Sequence, residues 1–260
     1  MRLSETDMKE LAHAKRLLEY PGIAATMMNA LGIPLEQGLQ ALPEKWLEYI
    51  HNISEKALYS ALDFAVLTLG EDTKKKSSDM IHKIAVAGSG CLGGLFGLPA
   101  LAIELPISTT LILRSVADIA GSHGEDIRTI ESKLACLEVF AFCGKSKDNN
   151  TSGTSYYAVK ASLSQAISEA SAYIAEHGFA EAGAPLIVRM ITNISSRFGI
   201  VVSEKTAVSA IPITGSAGGA IVNTIFINHF QNMARGHFII RRLERQYGKK
   251  RIETEYREKC

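Results

Sequence analysis

Residues 84–103, IAVAGSGCLGGLFGLPALAI, and residues 206–234, TAVSAIPITGSAGGAIVNTIFINHFQNMA, decide the fold of this chain. Neither stretch contains an aspartate, glutamate, lysine or arginine, and His229 is the only histidine in them. An ordinary soluble helix keeps a polar face, whereas these segments are apolar or small nearly all round and must be buried in protein or in lipid. They predict either the centre of a helical bundle or a membrane contact.

Glycine recurs in both segments at a spacing of four residues, in the pairs Gly90–Gly94, Gly93–Gly97 and Gly215–Gly219. This small-xxx-small spacing lets two helix backbones approach closely, in a membrane or in a tight soluble bundle. We therefore expect two glycine-rich helical segments that pack centrally or against a membrane.

Outside these segments, apolar residues recur every three or four positions, which is typical of amphipathic helices. Alternation of the kind that predicts strands is nearly absent, so the chain is predicted to be an all-α, multi-helix bundle. The spacing and the punctuation by proline and glycine predict helices over residues 4–21, 43–70, 107–120, 125–142, 156–177, 185–198 and 220–247.

Length and composition favour a single helical domain that spans residues 1–260. Within it we distinguish four parts by composition: an N-terminal helical part, residues 1–70; a charged linker, 71–79; a glycine-rich helical core, 80–248; and a charged tail, 249–260. Residues 144–155, GKSKDNNTSGTS, form the most polar stretch and are predicted to be a loop.

The charge balance excludes a global field that would attract nucleic acid, because 28 lysines and arginines face 27 aspartates and glutamates. The mean hydropathy of +0.08 is high for a soluble protein and low for a protein with several membrane spans. The four cysteines form no CxxC pair, and the charged N-terminus has no signal-peptide pattern. We expect a cytoplasmic protein, peripheral on the inner face of the cytoplasmic membrane.

Residues 88–93, GSGCLG, match the GxGxxG fingerprint of dinucleotide-binding folds. That fingerprint needs an uninterrupted helix next, but Gly94, Gly97 and Pro99 follow, and an interior proline costs roughly 3 kcal/mol. It also needs a second strand that ends in an acidic residue, and Glu104 instead lies in a helical pattern. We expect no cofactor. No metal is expected either, since HExxH is absent and His229 and His237 are eight residues apart.

A carboxylate in the apolar run 99–113 must pair with a cation, lie at a helix N-terminus, be protonated or face a polar cavity. One interpretation of Glu104 is structural, with the carboxylate near a helix start or paired with Arg114, which itself lies four residues before Asp118. The other is functional, a buried polar cluster that acts on a proton or a ligand head group. The candidates for this cluster are Glu104, Arg114, Asp118, Glu138, His229, His237 and Arg241.

Seven lysines and arginines lie between residues 235 and 251 against one acidic residue, directly after the second glycine-rich segment. Basic residues in that position suit an anionic cytoplasmic leaflet, at about 1 kcal/mol for each charge near the surface. An ordinary solvated helix face is the alternative. The predicted membrane contacts are Gly90, Gly93, Gly94, Gly97, Gly215, Gly218, Gly219, Arg242 and Arg245.

The blocks GLPALAIELPISTTLILRSVADIA, GED, KLACLEVFAFCG and GSAGGAIVNTIFINHFQNMARGHFIIRRLERQYG resemble the EcsC protein family, over most of the chain from about Leu18 to Gly248. The resemblance implies a bacterial cytoplasmic or membrane-associated protein, because the family takes its name from a protein associated with an ABC exporter system. It implies no specific activity. It places these residues in the family's motif blocks: Glu104, Pro106, Arg114, Asp118, Glu138, His237, Phe238, Arg242, Leu243 and Glu244.

Three functions follow as hypotheses. The first is a non-enzymatic protein that docks on or partly inserts into the cytoplasmic membrane, with the glycine-rich segments shifting between a soluble bundle and a lipid-bound form. The second is a hydrolase with a buried carboxylate–histidine site made from Glu104, Glu138, His229 or His237. The third is a soluble accessory module that grips a membrane transporter through its glycine faces.

Overall fold

The structure is a computed structural model that describes residues 3–19, 22–32, 44–68, 97–142, 155–178, 184–209 and 215–258. Within these ranges every regular element is a helix and none is a strand, which confirms the all-α prediction for them. The helices are α1 (Glu5–Leu18), α2 (Ile23–Leu31), α3 (Glu44–Thr68), α4 (Gly97–Ser122), α5 (Ile130–Glu138), α6 (Ser155–His177), α7 (Pro185–Ser209), α8 (Gly215–Tyr247) and α9 (Lys249–Glu258). A single 3-10 turn, Val139–Ala141, follows α5 directly.

Three helix starts show how side chains replace missing backbone partners. The Ser4 hydroxyl accepts a hydrogen bond from the Asp7 N–H at 3.0 Å, and Thr129 accepts one from the Ser132 N–H at 3.2 Å. Both are N-caps, which satisfy donors that have no carbonyl in the first turn. Gly22 before α2 has no such side chain, and Glu204 of α7 accepts from the Ala24 N–H at 3.4 Å instead.

Three helices extend beyond the predicted bounds by five residues or more, and a fourth lies where a charged tail was predicted. Helix α4 begins at Gly97 rather than at residue 107 and carries Pro106 in its interior; α7 runs to Ser209 and α8 begins at Gly215. Tertiary burial explains why α4 tolerates the proline, since Leu101 and Leu105 on the preceding turn lie inside the core. The predicted charged tail is the fourth case: residues 249–258 form α9.

Helix α5 is shorter than the predicted helix over residues 125–142. The Thr129 cap starts it late, and the chain tightens into the 3-10 turn after Glu138. Lys133 holds α5 against α3, because its buried Nζ donates to the Val66 carbonyl oxygen at 3.0 Å near the C-terminus of α3. A cation at that end of a helix also complements the helix dipole.

A cluster of buried phenylalanines joins the 3-10 turn, α7 and α8. Phe140 lies 5.1 Å from both Phe198 and Phe230 between ring centroids, and Phe226 lies 5.0 Å from Phe230. Such tilted and edge-to-face pairs add specific geometry to apolar burial. Helix α8 thus runs through the centre of the bundle.

Helices α1 and α8 approach most closely at Gly236. A Cβ atom at this position would lie 2.7 Å from the Leu18 Cγ and 3.0 Å from the Ala14 carbonyl oxygen. Gly199 on α7 differs, because a Cβ there would meet the Ser54 Oγ at 3.8 Å and the His51 Cα at 3.9 Å, ordinary van der Waals distances. Of these two glycines, Gly236 is therefore the one that its packing requires.

The Gly236→Ala variant should lose about 1–3 kcal/mol of unfolding free energy, because the added methyl group overpacks a backbone contact. Gly199→Ala is the matched control, and it should keep or gain up to ~1 kcal/mol because alanine is the better helix former. Urea unfolding followed by circular dichroism measures both. Equal stability of the two variants would contradict the close approach of α1 and α8.

Candidate functional site

Among the candidates from the sequence, the structure brings Glu138 and His237 into contact. The His237 Nε2 lies 3.8 Å from the Glu138 Oε2, and their side chains are 0% and 6% exposed. Helix α5 carries Glu138 at its last residue, and α8 carries His237 directly after Gly236. The close contact of Gly236 with α1 and the inward position of His237 therefore belong to one turn of helix.

Tyr156, at the start of α6, is the third member of this group. Its hydroxyl lies 2.9 Å from the His237 Nδ1, and Phe142 packs 4.8 Å from the histidine ring. Whichever tautomer the ring adopts, this hydrogen bond engages Nδ1, while Nε2 has no hydrogen-bond partner among the described residues. The imidazole edge without a partner faces the Glu138 carboxyl group.

Burial dominates the electrostatics of this group. It raises the pKa of Glu138 to about 7, an effect that Lys160 and Arg241 oppose and Glu244 reinforces. Burial also lowers the pKa of His237 well below its usual value, and the positive charges of Lys160 and Arg241 lower it further. Both shifts favour the neutral forms, so a neutral carboxyl group facing a neutral imidazole is the state that the surroundings stabilise.

A second polar layer lies over Tyr156. The Lys160 Nζ donates to the Glu244 Oε2 at 2.5 Å, and the Tyr157 hydroxyl donates to the Glu244 Oε1 at 3.2 Å. The ammonium group also lies 5.8 Å from the Tyr156 ring centroid. Glu244 thus has a partner for each oxygen, which is what a buried carboxylate requires.

Arg241 lies beside the pair but is bound to another acid. Its Nε and Nη2 donate to the two oxygens of Glu125 at 2.9 and 3.0 Å, in a bidentate arrangement. Arg245 donates to the same Glu125, and its Nη2 donates to the His123 carbonyl oxygen at 2.8 Å. These two arginines fix the segment between α4 and α5 against α8.

Arg242, predicted as a membrane contact, binds α1. Its Nη2 lies 3.3 Å from the Asp7 Oδ1 and also donates to Glu10, while the Tyr247 hydroxyl donates to the Asp7 Oδ2 at 2.7 Å. Hydrogen bonds from Ser4 and Tyr247 hold the pKa of Asp7 below its ordinary value. Arg242 and Arg245, with 32% and 44% of their side chains exposed, therefore have acidic partners within the fold.

The other candidates of the polar cluster lie apart from this pair. Lys205 of α7, not Arg114, binds Glu104, with the Nζ 2.6 Å from the Oε1 and 4.6 Å from the Phe226 ring centroid. Phe226 precedes His237 by eleven residues on α8, about 16 Å along the helix axis. Asp118 is exposed, and Arg114 and His229 are half-buried.

Tyr156, Lys160 and Glu125 carry no local signal in the sequence, because their partners lie 81 or more residues away along the chain. Lys205 does carry one. It directly precedes the uncharged segment 206–234 in a helix whose inward face is otherwise uncharged, so a buried partner was to be expected. Cys136 is buried, and burial raises the pKa of its thiol to about 12, which excludes it as a nucleophile at neutral pH.

The described ends of the two glycine-rich segments lie at the same end of the bundle. The Lys205 contacts with Glu104 and Phe226 join the N-terminal part of α4, the C-terminal part of α7 and the N-terminal part of α8. His51, near the start of α3, lies against Gly199 six residues before Lys205, or about 9 Å along α7. Four half-helices therefore meet there.

We call this region the apolar end. It is defined by the large apolar side chains that are exposed in the described chain, all of which lie on those four half-helices: Leu47, Tyr49, Ile103, Ile200, Ile221 and Ile227. Ile103 is the most exposed of them, at 63%. Single exposed apolar residues are ordinary, but a group confined to one region marks a candidate interaction surface.

Of the glycines predicted to contact a membrane, some lie outside the residues that the structure describes and some lie within them. Gly90, Gly93 and Gly94 lie outside the described residues. Gly97 begins α4, and Gly215, Gly218 and Gly219 lie in the first turns of α8.

Among the described helices, Pro185–Ser209 (α7) is the one long and apolar enough to cross a membrane, and half of its most apolar window is buried in the bundle. The described part of the chain holds no group of three or more histidine, cysteine or acidic side chains arranged to bind a metal ion.

Comparison with known proteins identifies a family and nothing more specific. The sequence model of the EcsC protein family matches residues 5–243, which takes in Glu138, Tyr156 and His237 and stops before Glu244 and α9. No match was found among curated proteins or among solved structures.

Glu125→Ala should lower the unfolding free energy by about 2–3 kcal/mol, because it leaves Arg241 without its bidentate partner while partial exposure softens the loss. Asp126→Ala removes the neighbouring carboxylate, whose ion pair with Arg128 is exposed, and should cost much less. Thermal and urea unfolding of both variants measure the difference. Similar losses for the two would show that the Glu125 pairs add no stability.

Glu138→Gln should change how stability depends on pH. A carboxyl group with a raised pKa in the folded state contributes stability that is fully present below its ordinary value of 4.5 and is lost as pH rises through about 7. The wild type should therefore lose stability relative to the glutamine variant between pH 4.5 and 7.5. Urea unfolding across that range tests this, with Glu48→Gln, an exposed residue of α3, as control. A pH-independent difference would contradict the neutral state of Glu138.

Proposed function

We propose that this chain, which belongs to the EcsC protein family, docks on the cytoplasmic membrane surface through the apolar end of its helical bundle. The observation that carries the proposal is the confinement of the exposed large apolar side chains to one end, the end at which the described parts of both glycine-rich segments lie. Burying such side chains in lipid is favourable by roughly 1.5–3 kcal/mol each.

The sequence around this end supports lipid as the occupant. Residues 84–103 and 206–234 contain no lysine, arginine or acidic residue, so a contact surface that includes them would place no full charge in the bilayer. Glu104 directly follows the first of these segments and Lys205 directly precedes the second, and the two side chains form an ion pair at 2.6 Å. An ion pair of this kind lowers the cost of bringing the apolar end into a medium of low dielectric constant.

The basic residues of α8 contribute less to this proposal than their number suggests. Arg241, Arg242 and Arg245 have acidic partners inside the fold. They also lie about 21 Å or more beyond Ile227 along α8, toward the opposite end of the molecule. Apolar contact, rather than attraction between these arginines and anionic lipid, is the stronger source of affinity.

The hydrolase hypothesis has less support. It needs several carboxylates and histidines around an accessible pocket, whereas Glu104 pairs with Lys205 and Glu138 lies 3.8 Å from a single histidine, His237. That pair is almost fully buried. The third hypothesis, an accessory module of a transporter, would use the same apolar end, and the experiment below separates it from lipid binding.

Purified protein should float with phosphatidylcholine vesicles and with vesicles that also contain phosphatidylglycerol, and it should remain bound at high salt because salt screens charge but not apolar contact. Ile103→Glu should lower vesicle binding about tenfold or more, as expected from the lost burial of one isoleucine. Ala161→Glu adds the same charge at an exposed position of α6 and should leave binding unchanged.

Three outcomes would count against the proposal. Release by salt would assign the contact to the basic residues, and equal effects of Ile103→Glu and Ala161→Glu would exclude the apolar end. Absence of flotation, together with sedimentation only with membranes that hold a protein partner, would favour the accessory module.

A further inference from the structure

Arg197, near the middle of α7, is a half-buried arginine that has no acidic partner among the described residues. Burial lowers the pKa of its guanidinium, and no described carboxylate is close enough to oppose that shift. The arginines of α8 differ, because Arg241, Arg242 and Arg245 bind acids within the fold. A partly desolvated charge without a partner costs free energy, so the described fold gains no stability from the charge of Arg197.

Arg197 shares one face of α7 with Ile200 and Glu204. At 3.6 residues per turn, these three positions fall within an arc of about 60° around the helix axis. Gly199 lies about 160° from Arg197 in the same projection, and Gly199 is the residue that packs against α3. Arg197 therefore lies on the side of α7 that is turned away from α3. Ile200, at 39% exposure, makes this side part of the apolar end.

Glu204, the acidic residue on this face, is engaged elsewhere. It lies seven residues, or about 10 Å, beyond Arg197 along α7, and its carboxylate accepts a hydrogen bond from a backbone N–H of α2 at 3.4 Å. Burial raises the pKa of Glu204, and the hydrogen bond to α2 opposes this shift. The guanidinium of Arg197 is thus left for a group outside the described fold.

The position of Arg197 along α7 suits the head-group level of a membrane. Helix α7 runs toward the apolar end, where Lys205 meets Glu104 and Phe226. Arg197 comes one turn before Ile200, about 4.5 Å farther from that end. Because arginine lays its methylene stem along apolar surface and extends its charge toward water, burial of Ile200 in lipid places this guanidinium among the head groups.

We propose that Arg197 binds the phosphate of a membrane phospholipid when the apolar end docks. The inference rests on the proposed membrane docking and names the lipid group that the docked protein recognises. Two N–H groups of the guanidinium donate to two phosphate oxygens, the bidentate geometry that suits arginine better than lysine. The membrane thereby supplies the anionic partner that the described fold lacks.

Binding to vesicles with and without phosphate tests this site. The wild type should bind vesicles of phosphatidylcholine with phosphatidylglycerol, and also vesicles of digalactosyldiacylglycerol, whose sugar head group carries neither phosphate nor charge. Arg197→Gln should weaken binding to the phospholipid vesicles about fivefold and leave binding to the galactolipid vesicles unchanged.

Arg235→Gln is the matched control for the loss of one positive charge. Arg235 is exposed and donates to the Asn232 side chain at 3.0 Å. It lies eight residues, or about 12 Å, beyond Ile227 of the apolar end along α8. Its replacement should therefore change phospholipid binding much less than Arg197→Gln does. Equal losses for the two variants would overturn the site, because they would assign the effect to net charge alone.

Unfolding in urea without lipid separates the proposed role from a structural one. Arg197→Gln should be as stable as the wild type or more stable, because the substitution removes a half-buried charge that has no described partner. A binding loss without a stability loss also shows that the variant is folded. A clear loss of stability would place the partner of Arg197 inside the fold and overturn the proposal.

The outcomes distinguish this site from the docking on which it rests. If the wild type binds neither kind of vesicle, membrane docking fails and the phosphate site fails with it. If the wild type binds both kinds and Arg197→Gln binds each as tightly, docking stands and the phosphate site is wrong. Equal weakening on phospholipid and galactolipid would also overturn the site, since the galactolipid offers no phosphate.

Discussion

The close approach of α1 to α8 at Gly236 is the constraint on which the remaining contacts of the charged half of the molecule depend. No side chain separates the two backbones there, so the Ala14 carbonyl and the Leu18 side chain reach the α8 surface directly. That distance places Asp7 and Glu10 within reach of Arg242, and Asp7 within reach of Tyr247. It also fixes the rotation of α8 about its axis, since His237 follows Gly236 and faces the interior.

The molecule separates charge from apolar surface along its length. Helix α8, with 33 residues, spans about 50 Å and belongs to both ends. Its C-terminal half carries arginines that are paired with α1 and with the segment before α5, and its N-terminal half meets α4 and α7 at the apolar end. Ion pairs hold the first region together, whereas the second has the partly buried Glu104–Lys205 pair and aromatic packing.

Burying Glu138 and His237 costs much free energy when both are charged and little when both are neutral, because desolvation penalises ions far more than dipoles. Its neighbours are arranged accordingly. Tyr156 gives the imidazole one hydrogen bond, and the strong charges nearby, Lys160 and Arg241, are bound to Glu244 and Glu125 rather than to the pair. The Tyr256 ring of the C-terminal helix packs 5.9 Å from that of Tyr156, from outside the part of the chain that matches the EcsC family.

The sequence by itself determined the helical class, the position of most helices and the two uncharged glycine-rich segments, because periodicity and capping act over a few residues. It also named Glu138 and His237 among seven candidates for a buried polar cluster. Only the tertiary structure decided which partners these groups have. Lys205 rather than Arg114 binds Glu104, and Glu125 binds two arginines 116 and 120 residues away. The extension of α4 through Pro106 and the docking of α9 were decided in the same way, since burial against distant helices outweighs the local preference of proline and of charged residues.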